Sequence, residues 1–381
     1  MPRLLYFVNI PRFFVTHRLP LAQAAQAAGY DVHVTTSNFD QENVARIQAA
    51  GLTYHPLPLS QHGTNPLNEI KALQTVAALY RTLKPDLVHH VSIKPVLYGG
   101  LVARWVGVPV VVSAMSGLGY VFIGSGTKPR LLRSIITPLL KTALAHRNSR
   151  MIFQNPDDQA RFIGMGVIDA DHTVLIRGSG VDTNVFVPLP EPDDTPVVLF
   201  AGRLLWPKGI GEFVEAARRL KGQARFVVVG YPEATNPDAV PLDELETWQH
   251  DGLIEWWGKR DDMPQVYAQT HIVCLPSTYG EGVPKVLIEG AACGRPLVTT
   301  DSPGCREIAR EGQNALLVPP SDVRALTSAL ERLIHDGALR RSLGARGRQI
   351  AEREFSLSLV NAATLGVYAA LLNPSLALPT A

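Results

Sequence analysis

The side chains best suited to chemistry lie in residues 273–304, VCLPSTYGEGVPKVLIEGAACGRPLVTTDSPG. A buried apolar run ends at Pro276, a polar glycine-containing loop follows, and Pro284 stands where a helix should begin, a place its fixed φ suits. That helix is predicted to run to about Cys293 and stop at Gly294. Its N-terminus offers backbone N–H groups, from Val283 and from Lys285 onward, to an anion. Glu281 in the loop and Glu289 in the helix are placed to receive hydroxyl groups on either side of that anion. A sugar, a diphosphate and a ribose, in that order, match the arrangement. An ordinary capped helix with an acidic first turn matches the same letters.

A second cluster is AGRLLWPKG, residues 201–209, directly after a predicted strand. Arg203 and Lys208 flank a turn closed by Pro207 and Gly209, so both cations can lean over the strand ends toward one anion. Alone, the segment also reads as a solvated basic turn. With the helix N-terminus it makes three devices for one diphosphate, all in strand-end loops of one domain.

Other candidates are weaker. The acidic pairs Asp157–Asp158, Asp193–Asp194 and Asp261–Asp262 invite a metal, yet the first opens a helix, the second lies in a proline-rich run and the third precedes a helix, so capping is the simpler account. No metal and no cofactor are expected. Gly117, Gly119, Gly124 and Gly126 lack the dinucleotide fingerprint spacing. Cys274, Cys293 and Cys305 match no zinc or redox spacing and suit a reducing cytoplasm. His89 and His90 are adjacent on a strand, so at most one can face a site.

These residues must be positioned by the elements around them. Apolar runs alternate with amphipathic stretches throughout, the rhythm of parallel sheets covered by helices on both faces. Strands are expected near Arg3–Asn9, Asp31–Thr36, Asp86–Val91, Val108–Ser113, Arg150–Phe153 and Thr173–Ile176, with helices at Leu19–Ala28, Leu67–Leu83 and Arg130–His146. The pattern stops in PLPEPDDTP and resumes with Val197–Ala201, Arg225–Gly230, Leu253–Trp256, His271–Leu275, Pro296–Thr300 and Ala315–Val318. The expected organisation is therefore an α/β chain of two Rossmann-like domains, 1–187 and 197–354, with 188–196 as linker. Residues 355–381 would form a C-terminal helix, for which packing back on the first domain is one option that composition does not decide. A shared site is expected in the cleft between the domains, at the carboxyl ends of the strands.

Composition narrows the function. With 381 residues, 46% hydrophobic and 18% charged, the chain is neither disordered nor a small stapled scaffold. The net charge of +2 argues against a nucleic-acid partner, but it divides into +7 for residues 1–190 and −5 for the rest. Between Asp86 and Asp157 stand eight Lys or Arg and no acid. Within that stretch, KPRLLRSIITPLLKTALAHR spaces Lys128, Arg130, Arg133 and Lys141 among Leu and Ile at helical intervals, with Pro138 expected to bend the helix. Such a helix suits an anionic membrane surface, and a packed helix with a basic rim equally. The N-terminus reads as a strand rather than a signal peptide, and no apolar run reaches the roughly 20 residues of a membrane span.

On G-R-x-x-x-x-K-G at 202–209, on Glu281 and Glu289 within EGVPKVLIEGAACGRPLV, on Asp301–Pro303–Gly304 with Glu307–Ile308, and on NALLVPPSD, the sequence resembles the retaining family 4 glycosyltransferases of GT-B fold. The resemblance covers essentially the whole chain. It implies that Gly202, Arg203 and Lys208 hold the donor diphosphate, that Glu281 contacts the transferred sugar and that Glu289 contacts the ribose. Gly282, Val283, Pro284 and Lys285 would form the loop around sugar and phosphate, and Gly258–Lys259–Arg260 the nucleobase side. Glu281, Arg203 and Lys208 are then the catalytic set.

FFVTHRLPLAQAAQAAGYDVHVTT, HHVSIKPVLYGGLVAR, SGLGYVF and FQNPDDQARF are similar to the subset that extends polyprenyl-diphosphate-linked oligosaccharides, including N,N'-diacetylbacillosaminyl-diphospho-undecaprenol N-acetylgalactosaminyltransferases. Many members hold the sugar with a His after the strand that here ends in SAMSGLG, so that contact is not carried over. His17, Lys94 and Ser116 are the candidate acceptor-site residues. The resemblance implies a UDP-sugar donor, a lipid-linked saccharide acceptor, surface-polysaccharide assembly and a cytoplasmic enzyme held at the inner membrane face. A nucleotide-sugar epimerase of the same architecture, a GDP-sugar donor, a soluble acceptor and a non-catalytic binding subunit are the alternatives.

Overall fold

The computed structural model describes the chain except residues 59–65, 118–121, 123–125, 234–235, 374 and 376–381, and the side chains of 66–68, 128 and 129. Two units are resolved: Met1–Ser179 with Leu357–Ala381, and Gly180–Ser356.

Unit 1 is a parallel seven-stranded sheet of β1 (Arg3–Val8), β2 (Asp31–Ser37), β3 (Thr53–Leu57), β4 (Leu87–Val91), β5 (Val110–Ala114), β6 (Ser149–Phe153) and β7 (Thr173–Leu175), ordered β3-β2-β1-β4-β5-β6-β7. Because helices cover both faces, its central strands are apolar without alternation. Leu4, Tyr6 and Val8 of β1 enter one core, and Leu5 and Phe7 the other. The strand β3 was not expected. It is a half-exposed edge strand containing Pro56, so it lacks the apolar run of the others.

The helix Leu357–Leu372 lies against the first of these cores, contributing Val360, Val367, Tyr368 and Leu371. The side-chain amide of Asn148 donates to the Leu371 carbonyl at 3.1 Å.

Unit 2 is a parallel six-stranded sheet of β8 (Val197–Ala201), β9 (Arg225–Val229), β10 (Glu255–Trp256), β11 (Ile272–Leu275), β12 (Leu297–Thr300) and β13 (Ala315–Val318), ordered β10-β9-β8-β11-β12-β13. Its helices are fixed locally: Asp322 and Asp336 accept from the backbone N–H groups of Ala325 and Leu339, capping Val323–His335 and Gly337–Glu354. The run 188–196, expected as a linker, is instead fastened within this unit. Glu191 pairs with the buried Arg340 at 3.0 Å, and the Pro192 carbonyl lies 3.0 Å from His271 Nε2. Prolines prevent regular structure there without preventing docking. The division accordingly falls at Gly180, ahead of the expected boundary at 187.

Candidate functional site

In unit 2 the strand order reverses between β8 and β11. In doubly wound sheets the loops at the carboxyl ends on either side of such a reversal form the ligand crevice. Those loops are the ones carrying Arg203 and Lys208 after β8, and Glu281 after β11.

The two loops are joined by backbone. The Pro207 carbonyl accepts from the N–H groups of Thr278 and Tyr279 at 2.8 and 2.9 Å, and from the Thr278 hydroxyl at 3.1 Å. Gly209 takes φ +82°, and a Cβ there would stand 2.1 Å from the Pro276 oxygen. The Thr300 hydroxyl, at the end of β12, donates to the Ser277 carbonyl at 2.5 Å. Gly304 brings the next helix, Pro303–Ile308, under the loop, where a Cβ would meet the carbonyls of Gly282 and Glu281 at 2.1 and 2.3 Å.

On this frame the charges converge. Lys208 Nζ meets Glu281 Oε1 at 2.5 Å, with both side chains nearly buried. The Ser277 hydroxyl donates to the same Glu281 oxygen at 3.1 Å. Arg203, half exposed, has its guanidinium 5.5 Å from the centre of the Tyr279 ring, and Lys208 Nζ is 5.7 Å from that same ring. Arg203 also has a loose carboxylate neighbour, Glu233, at 3.8 Å. One aromatic ring therefore stands beside both candidate phosphate cations, and each has an acid next to it.

The helix Lys285–Ala292 begins one residue later than expected: Pro284 has an extended ψ of 121° and flanks it. Glu289 is 7% exposed, with Tyr267 donating to Oε2 at 3.1 Å and Lys285 Nζ 3.3 Å from Oε1. Burial raises its pKa above the usual carboxyl range, and Lys285 and Tyr267 oppose the shift. Burial also raises Tyr267 well above an ordinary phenol, with Glu289 adding to it, so its hydroxyl remains a donor.

Gly202, Arg203, Lys208, Glu281, Gly282, Val283, Pro284, Lys285 and Glu289 thus fall in the strand-end loops after β8 and β11 and the helix that follows them. Arg260 has a separate partner, Asp262, at 2.5 and 2.7 Å, and lies 5.9 Å from the Trp257 ring centre. That pair corrects the capping role expected of Asp262, which makes no side-chain cap bond to Met263–Ala268 because its carboxylate is spent on Arg260. Likewise Asp157 and Asp158 sit in the first turn of Pro156–Gly164, while the cap is Asn155. Two residues that shape the site were missed, Tyr279 and Glu233. Both stand in strand-end loops of the same sheet, the signal that had singled out Arg203.

The unit 1 candidates have local partners. His17 stacks on Phe13 with centroids 4.2 Å apart, Lys94 pairs with Glu69 at 2.9 Å, and Ser116 Oγ is buried without a hydrogen bond among the described residues. His89 and His90 point to opposite faces, toward Tyr368 and Tyr80. In the helix Thr127–Leu144, Leu131, Leu132, Ile135 and Leu139 are exposed on one side, and Arg130 and Lys141 are exposed beside them. Arg133 is half-buried, and the Lys128 side chain lies outside the described residues. No described helix is long and apolar enough to cross a membrane. Among the described residues no three His, Cys, Asp or Glu side chains gather as metal ligands would.

A two-sheet doubly wound chain with paired cations at one switch point is the architecture of a GT-B glycosyltransferase. The model for "Glycosyl transferase 4-like" proteins matches residues 3–155 and that for "Glycosyl transferases group 1" matches 195–336, so the chain belongs to these glycosyltransferases. It is 27% identical, over 88% of its length and 90% of the relative's, to the N,N'-diacetylbacillosaminyl-diphospho-undecaprenol alpha-1,3-N-acetylgalactosaminyltransferase of Campylobacter jejuni. It is 26% identical, over 71% of its length and 72% of the relative's, to the UDP-Gal:alpha-D-GlcNAc-diphosphoundecaprenol alpha-1,3-galactosyltransferase of Escherichia coli. In fold it is similar to HepE of Anabaena, solved in complex with UDP and glucose, with a TM-score of 0.81 at 18% identity, covering 97% of this chain and all of that one.

Proposed function

We propose that the enzyme transfers a hexose or N-acetylhexosamine from a UDP-sugar to a polyprenyl-diphosphate-linked saccharide, with retention at the anomeric carbon and without a metal, in cell-surface glycan assembly. The observation that carries this reading is the gathering of Arg203 and Lys208 over Tyr279 at the switch point of unit 2. The two relatives above, named for diphospho-undecaprenol acceptors, support the acceptor class.

The bond that breaks joins the anomeric carbon to the donor's β-phosphate oxygen, and negative charge grows on the departing diphosphate. Lys208 and Arg203, already oriented by Glu281 and Tyr279, stabilise that charge. The acceptor hydroxyl attacks from the same face and yields its proton to the departing phosphate oxygen. Glu281 meets the transferred sugar, and Glu289, held by Tyr267 and Lys285, accepts from the ribose.

A panel of UDP- and GDP-sugars with a polyprenyl-diphosphate acceptor tests this reading. Transfer should occur with a UDP-sugar and persist in EDTA. A strict divalent-metal requirement, or conversion of the donor with no acceptor present, would overturn it in favour of another chemistry, the latter being epimerisation.

We propose further that unit 1 takes the lipid-linked acceptor and that Thr127–Leu144 rests on the inner face of the membrane, its exposed Leu and Ile among acyl chains and Arg130 and Lys141 among headgroups. Each base contributes about 1 kcal/mol near an anionic surface. Arg130→Glu with Lys141→Glu should therefore weaken binding to anionic liposomes by more than about tenfold; unchanged binding would remove the membrane role of this helix.

A further inference from the structure

We infer that unit 1 contains an oxyanion site built from Arg18 and His89, taking one oxygen of a phosphate group. Its residues belong to unit 1, whereas the donor cations belong to unit 2. Arg18 stands between the helices Pro11–His17 and Leu19–Ala27 and is 6% exposed. Its Nη1 donates to the His17 carbonyl at 2.9 Å, while its Nε is buried with no partner among the described residues. A guanidinium stays protonated when buried, so it needs a counter-charge. The recess it lines with His89, Gln154, Gly178, Ser179 and Asn361 contains no Asp or Glu among the described residues.

The phenols nearby do not supply the missing charge. Tyr6 and Tyr368 are buried and held as neutral hydroxyls, with pKa values raised chiefly by burial. They form a relay instead: the two hydroxyls lie 3.2 Å apart, and that of Tyr368 reaches His89 Nδ1. Burial and the charge of Arg18 keep His89 neutral. When Tyr368 donates to Nδ1, the imidazole proton stands on Nε2, which is buried and without a partner among the described residues. Arg18 and His89, each carrying a buried nitrogen that can donate and has no partner among the described residues, thus line one recess of about 20 Å³, room for one oxygen atom. The recess draws Arg18 from the segment after β1 and His89 from β4, the two strands between which the order of this sheet reverses, where doubly wound sheets take ligands.

The source of the phosphate is either the free ion or the diphosphate of the acceptor, and the latter rests on the function proposed above. Thermal unfolding of the full chain in an Arg203→Ala/Lys208→Ala background separates this site from the donor cations. Inorganic phosphate should raise the melting temperature beyond an equal ionic strength of chloride. Arg18→Met should melt no lower than its parent in phosphate-free buffer, since no acid loses a partner, and should not respond to phosphate. His89→Gln should bind phosphate about tenfold more weakly, as expected for one charge-assisted hydrogen bond. A polyprenyl diphosphate in detergent that acts at about tenfold lower concentration than phosphate, through Arg18, identifies the acceptor; equal potency identifies the free ion. A phosphate response that equals chloride, or that survives both substitutions, overturns the site, and His89→Gln alone decides if Arg18→Met does not fold. UDP binding, measured on the unmodified chain, tests the donor reading independently.

Discussion

Lys208→Ala should lower kcat by about 10²–10³, the usual cost of deleting one preorganised group facing charge that develops in the transition state. The effect should fall on kcat more than on KM, because charge on the leaving diphosphate is greatest when the glycosidic bond is breaking. Removing the lysine also strands Glu281, whose side chain is only 10% exposed and keeps Ser277 as its remaining donor. The single variant should therefore lose stability too, which by itself would blur the reading. Adding Glu281→Gln removes the stranded charge, so the double variant should recover melting temperature and not rate. Recovery of both would mean that Lys208 serves only to neutralise Glu281. Turnover by Lys208→Ala within about threefold of the parent would remove it from the leaving-group role altogether.

Gly209→Ala should be the most damaging small substitution in unit 2. Its φ of +82° costs an alanine about 1–2 kcal/mol, and the new Cβ would stand 2.1 Å from the Pro276 oxygen, so the loops after β8 and β11 must separate. The sum should exceed about 3 kcal/mol, or roughly 6–12 °C in melting temperature for a unit of this size. Activity should fall with it, because the Pro207 carbonyl that joins the loops is two residues away. Gly222 is the control: its φ is +84° with nothing within 4 Å of the would-be Cβ, so Gly222→Ala should incur the conformational cost alone. Equal melting temperatures for the two variants would show that the contact with Pro276 contributes nothing.

Much of this was legible in the residues. VVLFA and IVCL are apolar at every position because each strand is covered on both faces, and such runs mark a parallel sheet without reference to any neighbour. The glycines, prolines and charges of 202–209 and 281–289 marked loops at strand ends. The edge strand Thr53–Leu57 was not legible, because half of its surface is in water and its apolar signal is correspondingly broken. The docking of 188–196 was not legible either, since Glu191 and Pro192 carry no sign of Arg340 or His271.

By itself, then, the sequence determined the α/β class, the order of the buried strands and which loops carry chemistry, because periodicity and turn chemistry act over a few residues. Only the tertiary structure decided which acid each cation meets: Glu281 for Lys208, Glu233 for Arg203, and none, among the described residues, in the recess lined by Arg18. Those pairings depend on strand order and on close backbone contacts such as Gly209 with Pro276. Both arise from how whole strands and helices pack, which no local run of letters specifies.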